Sequence, residues 1–241
     1  MSVFCKIIFI IPQSSGQGNL LPSPEGQNYE NPFTIRKQPY IIENGQRDFI
    51  YGVGYYYENG IRTSVDYAQA AQWYEKAAKK DHIEAAMHLA LLYAQGRGVE
   101  KDDKKALFYM NQAAKSGNMN AQYNMGRCYE EGIGTKPDIS KAFDWYKKAA
   151  AQGDFRAMCC MGAQFLSGET IPYEPAKAFQ LFEKAANGNI PAAQYNLSVL
   201  YRYGEGVEKD VEKADFWRMK AAQNGFRLAI DELEHPEKEN S

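Results

Sequence analysis

The stretch at residues 121–134, A-Q-Y-N-M-G-R-C-Y-E-E-G-I-G, followed at residues 141–153 by K-A-F-D-W-Y-K-K-A-A-A-Q-G, decides the fold. Thirty-six residues upstream the same design is easiest to read. Ala86, Leu89, Ala90 and Tyr93 fall at i, i+3, i+4 and i+7, one face of a helix. Gly96 and Gly98 then break it, because glycine tolerates the left-handed conformation that ends helices. Asp102 opens a second helix, where a carboxylate accepts orphan backbone N–H groups and stabilises by about 0.5–2 kcal/mol. Ala106, Tyr109, Ala113 and Ala114 lie on one side of that helix, and Gly117-Asn118 closes it. The unit is a helix, a turn and a helix.

Working outward, the unit recurs every 36 residues. Ala77-Ala78, Ala113-Ala114, Ala149-Ala150, Ala185-Ala186 and Ala221-Ala222 form one column. Gly60, Gly96, Gly132, Gly168 and Gly204 form another, and Tyr57, Tyr93, Tyr129, Phe165 and Tyr201 a third. A fourth runs Trp73, Tyr109, Trp145, Leu181 and Trp217, and the cap column runs Asp66, Asp102, Asp138, Glu174 and Asp210. Glutamate is the poorest cap of that set. Small residues at Gly54, Ala90, Gly126, Gly162 and Ser198 let two helix backbones approach, while the large columns fill the space above and below. One hairpin cannot bury both faces of such a pattern, so each stacks on the next, giving an all-α solenoid over residues 49–228.

These residues resemble the Sel-1-like repeat, a relative of the tetratricopeptide repeat. Ala193-Gln194-Tyr195-Asn196-Leu197 and Gly204-Glu205-Gly206-Val207 repeat the motif closely. The resemblance implies a right-handed α-solenoid of helix-turn-helix repeats with a 36-residue period, its first helices lining a concave surface where partners bind. Two units depart from the pattern and put their loop shape in question. In the fourth, Thr170-Ile171-Pro172 replaces the second glycine, and Asn187-Gly188-Asn189 shifts the closing glycine by one. The first has Arg62 in place of its second glycine and ends in Asp81.

The expected organisation is an irregular segment at residues 1–45, the solenoid at 46–235 with residues 226–235 as a capping half-repeat, and a tail at 236–241. The apolar run from Val3 to Ile11 is too short for a membrane span, which needs about 20 residues, so no transmembrane segment is expected. Its lysine lies inside the apolar run instead of before it, unlike a signal peptide; Ser14, Ser15 and Gly16 keep an export signal open. Pro12, Pro22, Pro24, Pro32 and Pro39 read as a linker or irregular cap. Ile41-Ile42 and Gly45 fall in the Ala-Ala and glycine registers, which leaves a degenerate second helix at 30–45 as an alternative, although Pro39 should break it. A cytoplasmic location is expected, with an exported or periplasmic one as the alternative if that run acts as a signal.

Composition excludes several classes. With 44% apolar and 24% charged residues the chain is neither disordered nor a multi-span membrane protein. A net charge of −2 provides no bulk basic field, so nucleic acid is not an expected partner. The 4 cysteines are no disulfide framework, and buried thiols are the expected state of Cys128, Cys159 and Cys160. The Gly-x-Gly turns follow helices and lack a G-K-[ST] ending, so they are turns and not phosphate loops. His82, His88 and His235 make no metal motif, and neither G-x-S-x-G nor S-x-x-K occurs. No metal, cofactor or catalytic residue is expected, and Glu130-Glu131 diverges by about 100° on a helix.

Candidate binding residues are what remains of the first helices once the buried stripe is removed. They are Tyr51, Tyr55, Met87, Leu91, Tyr123, Arg127, Glu131, Tyr195 and Arg202, with Tyr123, Arg127, Tyr195 and Arg202 foremost. Tyr, Met and Arg are enriched at binding hot spots, although Tyr-Asn also belongs to the repeat consensus and has a structural reading. The function expected is a non-catalytic scaffold or adaptor for a partner protein or peptide. The alternatives are an exported host-interaction or effector-neutralising protein and, less favoured, a β-lactamase-like hydrolase of the cysteine-rich kind, whose regular cysteine pairs are missing here.

Overall fold

The computed structural model describes residues 43–235. The described residues form eleven helices and no strand. The first helices of successive hairpins are α1 (Glu43–Asn59), α3 (Ile83–Gln95), α5 (Met119–Glu131), α7 (Phe155–Ser167) and α9 (Pro191–Tyr203). Their second helices are α2 (Tyr67–Ala78), α4 (Asp103–Lys115), α6 (Ile139–Ala151), α8 (Pro175–Asn187) and α10 (Val211–Gln223), and α11 (Arg227–Glu234) is a further helix at the first-helix register, packed on α10. Helix starts at 83, 119, 155, 191 and 227, and at 67, 103, 139, 175 and 211, keep the 36-residue step. Each first helix packs on its own second helix, and each second helix on the first helix that follows. Glu43 already lies in α1, so residues 43–45, expected to be irregular, are helical, and Gly45 is inside a helix instead of ending one. The Val3 to Ile11 run, the proline-rich stretch, the rest of the proposed half-repeat at 30–45 and the tail at 236–241 lie outside the described residues.

One clip closes every hairpin. The backbone N–H of Asp66, Asp102, Asp138, Glu174 and Asp210 donates to the carbonyl of Tyr57, Tyr93, Tyr129, Phe165 and Tyr201 respectively. The side chains of Asp66, Asp102, Asp138 and Asp210 accept the N–H three residues on, at 2.9–3.0 Å. Lys141 and Lys213 then reach the cap carboxylates at 2.9 Å and lie over the rings of Tyr129 and Tyr201, 5.5 and 5.4 Å from the centroids. In the fourth hairpin Glu174 makes no side-chain cap bond; Pro175 starts the helix instead, while Lys177 keeps both its ion pair at 2.6 Å and its place over Phe165. The cap changes and the backbone clip to Phe165 holds, because proline at the first helical position needs no donor. The loop between them differs, since Thr170 lacks the left-handed backbone that Arg62, Gly98, Gly134 and Gly206 adopt at the same register.

The closing turns are also in register. Left-handed backbone occurs at Asp81, Gly117, Gly153, Asn189 and Gly225, with φ of 60°, 91°, 97°, 60° and 83°. The fourth turn is therefore not shifted: Asn189 takes the left-handed position and Gly188 has φ of −78°. Asp and Asn are the non-glycine residues best able to adopt it.

The core sits between the two helices of each hairpin. A Cβ built on Gly54, Gly126 or Gly162 would lie 2.7, 2.4 or 2.9 Å from the ring of Tyr74, Tyr146 or Phe182. These rings are fully buried, each stabilising by about 1.5–3 kcal/mol. In the second hairpin Ala90 replaces glycine and Met110 replaces the ring; in the fifth, Ser198 and Arg218 occupy the two register positions. The small position is as small as its partner is bulky.

Candidate functional site

Along the first-helix face of the solenoid, three neighbouring pairs of first helices are joined sideways by polar and aromatic contacts. Between α1 and α3, His88 Nδ1 lies 2.7 Å from Glu58 Oε2, and the His88 ring is 5.8 Å from Tyr51 and 6.4 Å from Tyr55. Between α5 and α7, Arg156 donates to Asn120 at 2.7 Å and holds its guanidinium 4.3 Å over Tyr123, while Gln164 donates to Glu130 at 3.2 Å. Between α9 and α11, the Tyr195 hydroxyl donates to Glu232, and its ring lies 5.0 Å from Phe226 of the preceding turn.

The expected residues all belong to this face or its margin, but they differ in availability. Tyr55 is 40% exposed and Glu131 is exposed. Tyr51 is half-buried, stacked on His82 at 4.4 Å and on Tyr74 at 5.7 Å; burial, with the charges of Glu84, Tyr55 and Glu58, pushes its hydroxyl up to about 12. Met87 is half-buried against the Ala86–Ala90 cluster, and Leu91 is half-buried. Tyr123 is half-buried between Arg156 and Tyr146, and burial raises its pKa as well. Arg127 Nε donates to Glu131 at 3.0 Å, and Arg202 donates to Asp215 at 2.7 Å. The fold brings Tyr51 next to Tyr55 and Arg127 next to Tyr123 and Glu131, sets Met87 and Leu91 one turn apart on α3, and leaves Tyr195 and Arg202 two turns apart on α9.

Beneath this face lies a layer that the candidate set did not identify as a pairing. The Tyr74 hydroxyl donates to Glu58 at 2.5 Å and the Tyr146 hydroxyl to Glu130 at 2.7 Å. At the same two register positions stand Ala94 and Met110 in the second hairpin, Leu166 and Phe182 in the fourth, and Arg202 and Arg218 in the fifth. Each pair matches itself: hydroxyl with carboxylate, apolar with apolar, and two guanidiniums bridged by Asp215 at 2.7 and 2.9 Å. Burial alone would raise the Glu58 carboxyl, but the hydrogen bond and charge of His88, the Tyr74 hydroxyl and Arg97 together hold it below the usual range. Glu58 is therefore an anion at neutral pH. The signal for this layer was present in the sequence as one more column, Tyr74, Met110, Tyr146, Phe182 and Arg218, covarying with the small column.

The remaining reactive groups are structural. His82 Nδ1 accepts the Ala85 N–H at 3.2 Å as the cap of α3, and burial lowers its pKa. Cys159 and Cys160 are buried, the thiol of Cys128 is pushed up to about 11 by burial, and these three form no disulfide with one another. Among the described residues no group of three His, Cys, Asp or Glu side chains is placed to hold a metal, and no helix is long and apolar enough to cross a membrane.

Comparison with known proteins agrees with this architecture. The family model for the Sel1 repeat matches residues 48–82, 83–118, 120–154, 156–190 and 191–226. A Sel1 repeat protein from Oxalobacter formigenes is similar at 29% identity and a TM-score of 0.74, over 81% of this chain and 78% of that one. A protective antigen present in uropathogenic Escherichia coli strains, which displays an SLR fold, is similar at 32% identity and a TM-score of 0.73. That likeness covers 78% of this chain and 40% of the antigen. No curated protein matches.

Proposed function

The chain belongs to the Sel1 repeat family, and from that membership we propose that it is a non-catalytic scaffold holding a partner protein or peptide against the face of its first helices. Sel1 repeats generally mediate protein–protein interaction and are generally non-enzymatic. The observation that carries the finer reading is the composition of that face. Tyrosine and arginine recur along α1, α5 and α9, held in place by neighbouring helices. Rigid aromatic and guanidinium groups bind at small entropic cost, because their conformations are already fixed.

The test is the pair Tyr123→Ala and Arg127→Ala. A partner bound by wild type should be lost by at least tenfold while the melting temperature moves by only a few degrees. Undiminished binding by a folded double variant removes the assignment. A second reading, an exported host-interaction protein, draws support from the likeness to the protective antigen. It requires an amino terminus processed near Gly16. An intact Met1 on cytoplasmic protein would count against it.

A further inference from the structure

We infer that the first repeat takes a cationic side chain of the partner, a lysine or an arginine, against Tyr55 and Glu58. The inference rests on the first-helix face being the binding face and goes on to name what one end of it recognises. It comes from two repeats that fill the same register differently. In the third, a guanidinium of the chain itself lies over the tyrosine, with Arg156 4.3 Å from the centroid of Tyr123. A second, Arg127, stands one turn on from that tyrosine, and the charges of both arginines act on it. In the first repeat the tyrosine is Tyr51, and the two cation positions hold Tyr55 and Glu84 instead. The frame is kept and its cations are gone.

What stands there suits a cation from outside. Asp48, Tyr51, Tyr55 and Glu58 fall at i, i+3, i+7 and i+10, one face of α1. Tyr55 is exposed, meets His88 edge-on at 6.4 Å and lies 6.3 Å from Tyr51. The Glu58 side chain is 21% exposed. Its contacts with the Tyr74 hydroxyl and His88 Nδ1 both fall on Oε2, at 2.5 and 2.7 Å, leaving Oε1 as the acceptor for a ligand. An open ring beside an ionised carboxylate attracts a cation in two ways, through the ring quadrupole and through charge. Exposed Asp48 and Glu84 extend the negative field. The chain's own arginines nearby are engaged: Arg47 lies 3.6 Å from Asp48, and Arg97 lies over the Tyr67 ring at 5.6 Å.

Fluorescence anisotropy with two labelled decapeptides tests this, one lysine-rich and one glutamine-rich. Wild-type full chain should bind the lysine-rich probe at least fivefold more tightly at low salt, with the preference shrinking as salt is added. Glu58→Gln should cut that preference to about twofold or less. Glu183→Gln, the same charge change at an exposed position of α8, should leave it nearly whole. Tyr55→Leu should weaken the lysine-rich probe about threefold, whereas Tyr55→Phe, which keeps the ring, should not. Melting curves show that each variant is folded.

Equal binding of the two probes overturns the inference. So does a preference that Glu58→Gln and Glu183→Gln reduce alike, since it then belongs to net charge, or one that Tyr55→Leu leaves untouched. Tighter binding of the lysine-rich probe after Arg36→Gln with Lys37→Gln also overturns it, because the chain's own basic pair is then the occupant. The Tyr123→Ala, Arg127→Ala double variant leaves the first repeat intact and separates the two levels. Partner binding by that variant decides the face, and the probe ratio decides what its first repeat recognises.

Discussion

The third and fifth repeats share one frame and differ in what it encloses. Both have a tyrosine on the first helix, Tyr123 or Tyr195, a tryptophan on the second, Trp145 or Trp217, and the same Asp–Lys–Tyr clip around the loop. Beneath the first-helix face, the third encloses Tyr146 over Gly126 with its hydroxyl on Glu130, whereas the fifth has Arg218 and Arg202 around Asp215. The difference separates two jobs: the clip and the alanine columns specify the hairpin, and the enclosed pair sets local polarity. A change within the pair need not disturb the hairpin provided its members change together.

The largest effect that should expose this contrast comes from the small position. Gly126→Ala places a Cβ 2.4 Å from a ring atom of the fully buried Tyr146, and the loss should be about 2–3 kcal/mol in chemical denaturation. Adding Tyr146→Met and Glu130→Ala, which copies the second repeat, should recover at least half of it. The matching change in the fifth repeat, Ser198→Gly, should cost about 1 kcal/mol or less, the ordinary penalty of glycine in a helix. Equal losses in the two repeats would break the distinction.

A smaller effect isolates the hydroxyl. Tyr146→Phe keeps the ring but removes one donor from Glu130, leaving Gln164 at 3.2 Å, and should cost about 1–2 kcal/mol. Combining it with Glu130→Leu, as in the fourth repeat, should reverse most of the loss. Non-additivity in that double-mutant cycle is the evidence for a matched pair.

The smallest expected effect concerns pH. Glu58 has a folded pKa below its ordinary value of 4.5, so its contribution is complete above that value and is lost as pH falls through the depressed one. Melting temperature followed downward from pH 6 should therefore fall less steeply in Glu58→Gln than in wild type. The fifth repeat has arginine at this register and no carboxylate to match Glu58 there. Identical acid limbs for Glu58→Gln and wild type would remove the ionised Glu58 from the description.

Most of the fold is legible in the sequence because it depends on residues that act locally. Caps, closing turns and alanine columns recur every 36 residues and need no knowledge of distant contacts. Even Asp81 and Asn189, which look like breaks in the glycine pattern, hold the left-handed backbone in register. The proposed binding face is less legible. Periodicity assigns Tyr51, Tyr123 and Tyr195 to the first-helix face, but it does not show that His82, Arg156 and Glu232 from the next unit engage them. Those contacts cross from one hairpin to another, where side-chain reach decides and spacing alone is silent. The Tyr74 column is an intermediate case, visible as a pattern yet meaningful only once Gly54 is found beneath the ring.

A last consequence follows from the loops. A Cβ on Gly98, Gly134 or Gly206 would lie 2.2–2.4 Å from backbone atoms at the start of the preceding hairpin's second helix, whereas Arg62 occupies that register in the first hairpin at the same left-handed φ of 60°. The hairpins are therefore not interchangeable parts. Moved to an interior slot with its loop unchanged, the first would press the Arg62 Cβ into the backbone of the helix before it. Anyone shuffling, duplicating or grafting these units has two loop types to match: one that needs glycine at the second residue after the helix-ending glycine, and that of the fourth hairpin, which fills an interior slot with Thr170 outside the left-handed region.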